Sequence, residues 1–250
     1  MTLSELSAIT YCIIYLCKHE EYSMREYAEY ALNHILTCLR ALREDSSGLI
    51  NILEQQLVGV YLVTVNDEMV LKTVLKCLRA LILYVKETGV DTRHRLESLA
   101  SLCNLKDSNE DFFECFLGIK LKQRQRCLKD LKSRIEKGEF AHSLKTVEHV
   151  LMPLVEYIVF GGAAQHQSRR DTISYDADQK SVTLDEGLNI YTAYSSQLSW
   201  PAYFKLLKRL LAKLARANTR ANSASRRGQP ELEKEKLITK AICRVLAGFN

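Results

Sequence analysis

Apolar positions along the chain recur with the three-to-four-residue step of a helix for most of its length. Residues 5–18 form a first such stretch. Residues 24–43 form a second, where Tyr27, Ala31, Leu32, Ile35, Leu39 and Leu42 keep the period until Ser46, Ser47 and Gly48 break it. A third helix over 49–65 gives way at Asn66 and Asp67, where a side-chain cap starts a fourth that runs to about Lys86 and stops at Gly89. A fifth is expected at 93–103. After a polar break at 106–109, a sixth begins near Asp111 and ends at Gly138. A seventh, 144–160, carries Met152 and Pro153 inside it and should kink or start late. Residues 184–197 and 200–217 predict two more, the second opened by Ser199 and Pro201, and a last helix closes the chain.

Helices in succession with short breaks and no strong strand signal describe an all-α protein, a HEAT/armadillo-like alpha-solenoid of stacked helix pairs. No strict repeat period is present, as is usual for such degenerate repeats. The organisation expected is helical repeats over 1–160, a polar linker over 161–183, and helical repeats over 184–250 interrupted by a basic loop at 218–230.

The ten glycines and three prolines are too few to punctuate a sheet, which supports the helical assignment. Eight cysteines lie among apolar neighbours with no Cys-x-x-Cys pair, and are expected to be buried thiols rather than disulfides or zinc ligands. The apolar run 9–16 lacks a basic lead and a cleavage site, and 49–65 carries Glu54, Gln55 and Gln56, so neither is expected to enter a membrane. No phosphate loop, His-Glu-x-x-His helix or Gly-x-Ser-x-Gly elbow is present, and His142 and His149 lack carboxylate company beyond Glu148. No enzyme activity, cofactor, metal or small-molecule substrate is therefore expected.

The net charge of +5 says little, but its placement says more. Asp111 to Leu131 joins an aromatic pair to a strongly basic helix and is expected to form a recognition surface, with Lys120, Lys122, Arg124, Arg126 and Lys129 as its cations. Between Gly187 and Pro230 there is no Asp or Glu, while Lys205, Lys208, Arg209, Lys213, Arg216, Arg220, Arg226 and Arg227 all fall there. Two accounts fit these rows: a solvated helix face with a flexible insertion, or a surface that binds RNA phosphates. Trp200 and Tyr203 likewise could stack on bases, although aromatics at helical spacing, Phe112 and Phe113 included, usually belong to a core.

Three motifs in order carry a resemblance. Asp111, Phe112 and Phe113 lead into an Arg-rich run closing on Leu128 and Leu131; Leu198 to Phe204 reads Leu-Ser-Trp-Pro-Ala-Tyr-Phe; and Val245 to Asn250 closes the chain, with Leu151, Met152 and Pro153 between. Together they resemble the small-subunit processome component 20 family, also called the down-regulated-in-metastasis family, large HEAT-repeat proteins of the nucleolus. Residues 1–110 add only the helical pattern, and Gly118, Ile119 and Lys120 depart from the family's His-rich approach to the arginines. Members are many times longer, so the chain is expected to be a fragment. The resemblance implies a scaffold in ribosome biogenesis and ribosomal RNA processing, located in the nucleolus. Its expected partners are the ribosomal RNA precursor, the U-three small nucleolar ribonucleoprotein and other processome proteins, with no membrane. The alternative is a HEAT-like protein–protein adaptor or transport receptor without RNA contact.

Overall fold

The computed structural model describes residues 3–42, 47–65, 67–104, 106–107, 110–116, 121–161, 175–223 and 228–249. Among these, helices are the only regular structure, as the periodicity predicts. Contacts divide the chain into two units, Met1–Gly118 with Lys145–Pro153, and Ile119–Leu144 with Leu154–Asn250. This division differs from the linear partition at 160, because 119–144 and 154–160 belong with the C-terminal helices.

The first unit contains α1 (Leu3–Leu16), α2 (Tyr22–Leu42), α3 (Ser47–Thr64), α4 (Glu68–Thr88), a 3-10 helix (Leu96–Leu102) and short α5 (Phe112–Phe116). Helix α4 is its hub, packing on α2, α3, α5 and the 3-10 helix. Its limits follow the expected chemistry. Asp67 accepts hydrogen bonds from the Met69 and Val70 amides at 3.1 and 3.3 Å, and Gly89 takes the left-handed conformation (φ 69°) while its amide donates to the Val85 carbonyl. The stretch expected as a fifth α-helix is instead the 3-10 helix, entered through Arg95 at φ 49°. That backbone is costly for a residue with a Cβ, and a buried acid holds it. Glu54, fully buried on α3, accepts from the Arg93 and His94 amides at 3.0 and 2.8 Å and lies 3.1 Å from His94 Nδ1. Farther along α3, the Tyr61 hydroxyl donates to the Val150 carbonyl at 2.6 Å.

Asp111 is also fully buried. One carboxylate oxygen receives Arg79 Nε at 2.7 Å and the Asn104 amide at 2.9 Å, and the other caps α5 through the Phe113 and Glu114 amides. Burial opposes the charge on Arg79, but the hydrogen bond and charge of Asp111 outweigh it and raise its pKa. Phe112, Phe113 and Phe116 are buried with it, their rings in mutual contact. The aromatic half of the expected recognition surface is thus core.

In the second unit, α6 (Leu121–Glu136) packs on α8 (Tyr175–Ser195), α8 on α10 (Gly228–Gly248), and α10 on α9 (Trp200–Ser223). Gly138, at φ 74°, closes the end of α6. Helix α8 begins at Tyr175, inside the expected linker, whose residues 162–174 lie outside the described ones. The expected loop at 218–230 is helical at 218–223 and again from Gly228. Ala, Arg and Asn simply continue α9, since none of them blocks a helix as proline would.

Helical residues 144–161, α7, contain π turns at Val147–Leu151 and Tyr157–Gly161. Proline at 153 brings no amide hydrogen and crowds the preceding turn. The chain answers with a widened turn, in which the Met152 amide reaches back to the Val147 carbonyl. All eight cysteines are free thiols, but against the expectation of burial Cys12 and Cys243 are exposed on outward helix faces and Cys38 and Cys103 are half-buried. Burial, followed by the nearby Asp111 charge, pushes the Cys103 thiol up to about 12.

Helix α10 touches α8 so closely at Gly248 that a Cβ there would run into Ser195 Oγ and the Thr192 carbonyl. Gly59, exposed on α3, has open space around it. Gly248→Ala should therefore lower stability by about 2 kcal/mol, and Gly59→Ala should raise it by about 0.5–1 kcal/mol, both measured by chemical denaturation.

Candidate nucleic-acid interface

The second unit carries both basic rows. On α6, Cys127, Leu128, Leu131 and Ile135 are buried, and the opposite side exposes Lys122, Arg126 and Lys129. Arg124 is half-buried and falls by helical period on the side of Leu128 and Leu131, away from the other three. Lys129 reaches Glu186 of α8 at 3.6 Å, close to where Gln125 donates to the Thr183 hydroxyl. The end of the helix neutralises itself: Lys132 pairs with Glu136 at 3.5 Å, and Arg134 with Asp130 and Glu139 at 2.7 and 3.2 Å. This row is weaker as an anion surface than its composition suggests.

The cations of α9 differ in what they meet. Tyr203, Leu206, Leu210 and Ala217 are buried. Arg209 and Lys213 lie at the edge of that buried side, and both reach one carboxylate. Arg209 Nη2 is 2.8 Å from Glu156 Oε1, and Lys213 Nζ pairs with Oε2 of the same group. Lys213 also lies over the Phe160 ring, 5.5 Å from its centroid. Nearby Tyr191 is fully buried, and desolvation, then the Glu156 charge, push its hydroxyl well above its ordinary range. Arg209 and Lys213 thus hold Glu156 inside the unit rather than waiting for a ligand.

Lys205, Lys208 and Arg216 behave differently. All three are exposed, and their spacing places them on one stripe of α9 with Ala212 between. Among the described residues neither Lys208 nor Arg216 has a carboxylate within salt-bridge distance, and Lys208 rests 4.6 Å from the centroid of the Phe204 ring. Of Arg220 only the helical backbone is described, and Lys120, Arg226 and Arg227 lie outside the described residues.

Beside the basic stripe runs an apolar one. Trp200, Phe204 and Leu211 are 62%, 45% and 46% exposed. The Trp200 ring is near-parallel to those of Tyr203 and Phe204, with centroids 5.7 and 6.2 Å away, and Phe249 closes the group at 5.5 Å. Tyr203 is core as expected, but Trp200 is not wedged between helices, and Leu211 faces out. Helix α9 packs on α10, and its apolar side is wider than the part that is buried.

A second surface belongs to the first unit. The outer face of α1 exposes Ala8, Ile9, Tyr11, Cys12 and Tyr15, with Glu5 as its acid. Helices apolar on both sides usually have both sides covered. Among the described residues no cluster of three or more His, Cys, Asp or Glu could hold a metal ion, and His149 packs edge-on against His94 at 5.4 Å. No described helix is long and apolar enough to cross a membrane.

The chain matches no protein-family model and no curated protein sequence. Its resemblance to the processome family therefore rests on the short motifs alone, and two of them now have a structural account. The Asp-Phe-Phe motif is a capped, buried corner, and the Trp-Pro-Ala-Tyr motif starts α9 with Tyr203 inward and Trp200 outward.

The difference in what these cations meet has a measurable consequence. Arg209→Glu or Lys213→Glu puts a second carboxylate beside Glu156 and should cost about 2–4 kcal/mol of stability. Lys208→Glu or Arg216→Glu should change it by less than about 0.5 kcal/mol. Thermal melts of the four variants provide the comparison.

Proposed function

We propose that this chain is a non-catalytic, HEAT-like helical scaffold of ribosome biogenesis, acting in the small-subunit processome of the nucleolus and contacting ribosomal RNA precursor through α9. The observation that carries the RNA contact is the exposed stripe of Lys205, Lys208 and Arg216, in a stretch that holds no acid from Gly187 to Pro230. Such a stripe gains by releasing counterions from phosphate and reads no sequence. Lys122 and Arg126 on α6 are secondary contacts in this scheme. The apolar face of α1, which carries little charge, supports a scaffold role by offering a place for partner proteins.

The test is binding of the folded chain to a structured ribosomal RNA precursor fragment across a salt series, beside the triple variant Lys205→Glu, Lys208→Glu, Arg216→Glu. Affinity should fall steeply with salt, and the variant should flatten the log–log slope by about 2–3. A helical chain that binds no RNA at low salt, or a variant that binds like the parent, would overturn the RNA contact and leave the protein–protein adaptor.

A further inference from the structure

We infer that the α9 surface takes unpaired, single-stranded RNA, with one base stacked on Trp200 and the following phosphates on the Lys205, Lys208 and Arg216 stripe. This rests on the RNA-contact reading above and adds which form of RNA is held.

The argument starts from the exposed ring. An indole is large and apolar, and exposing 62% of Trp200 at the surface is unfavourable for the isolated chain. The ring is nevertheless held in place, because Tyr203 and Phe204, one turn on, stack against it, and Phe249 packs at an angle. A fixed, exposed aromatic platform is one of the two parts of a single-strand site, and a basic track is the other. Both are present on one helix. Phe204 joins them, since its ring stacks near that of Trp200 and also lies under the Lys208 ammonium.

The occupant follows from charge and shape. A basic row favours a polyanion over an apolar protein surface. Among polyanions, a duplex keeps its bases stacked inside and offers a helix little but phosphate and sugar, so Trp200 and Phe204 would gain nothing from it. A single strand presents base faces and phosphates together, and every base has a face to stack. From Trp200 to Arg216 the helix rises about 24 Å, enough for several nucleotides.

Trp200 is the only tryptophan in the chain, so its fluorescence reports this contact alone. The 250-residue chain is titrated with a single-stranded RNA of about twelve nucleotides lacking self-complementarity, and separately with the same strand annealed to its complement. The single strand should quench Trp200 emission saturably and bind at least about tenfold tighter than the duplex. With end-labelled RNA, Trp200→Ala should weaken the single strand about tenfold and leave duplex affinity unchanged, while Trp200→Phe should retain most of the binding. Circular dichroism checks that the variants stay helical; if Trp200→Ala does not, quenching and Trp200→Phe carry the test. Equal binding of both RNAs with unchanged emission would overturn the single-strand inference and leave the phosphate reading intact. Failure of both RNAs to bind at low salt would overturn the two together and pass the surface to an acidic protein partner.

Discussion

A charge buried in a helical core must be answered on the spot, and three acids of this chain show how much can be fixed by answering them. Glu54, Asp111 and Glu156 sit inside their units with side-chain exposures of 0, 0 and 16%. Unpaired, each would cost several kcal/mol. Glu54 is met by backbone amides and an imidazole, Asp111 by a guanidinium and three amides, and Glu156 by two cations. Helix caps and apolar burial make the individual helices. These acids fix the irregular segments and edges between them, which apolar packing specifies poorly because it has no direction.

The same requirement decides which cations of α9 have their charge taken up inside the unit. Glu156 takes up the charges of Arg209 and Lys213, whereas Lys208 and Arg216 stay exposed on α9. A surface identified by counting positive residues would mix the two groups. Sorted by what each cation faces, the row shrinks to a stripe, and that stripe borders exposed aromatic rings.

The helices were legible in the sequence because burial imposes a period, and their ends were legible where a cap needs a particular residue, as at Asp67, Gly89 and Gly138. The start of α8 at Tyr175 and the continuation of α9 through Asn218 were missed, since polar composition there resembles that of a loop while nothing in it forbids a helix. The 3-10 form of 96–102 was missed because its apolar spacing also fits an α-helix. The pairing of Glu156 with residues more than fifty positions away leaves no local trace. Nor does the exposure of Trp200: the residues of α9 show that the helix has a wide apolar side, and only its neighbour's breadth decides which part is covered.

Glu54 holds residues 93 and 94 chiefly by their amide hydrogens, a group that every amino acid except proline carries. The tie is therefore blind to side-chain identity at Arg93. That residue is free to drift while the corner it belongs to stays put, with the constraint recorded only in an acid some forty positions earlier. In a lineage that diverges quickly, such corners would preserve shape while the residues at them lose all likeness.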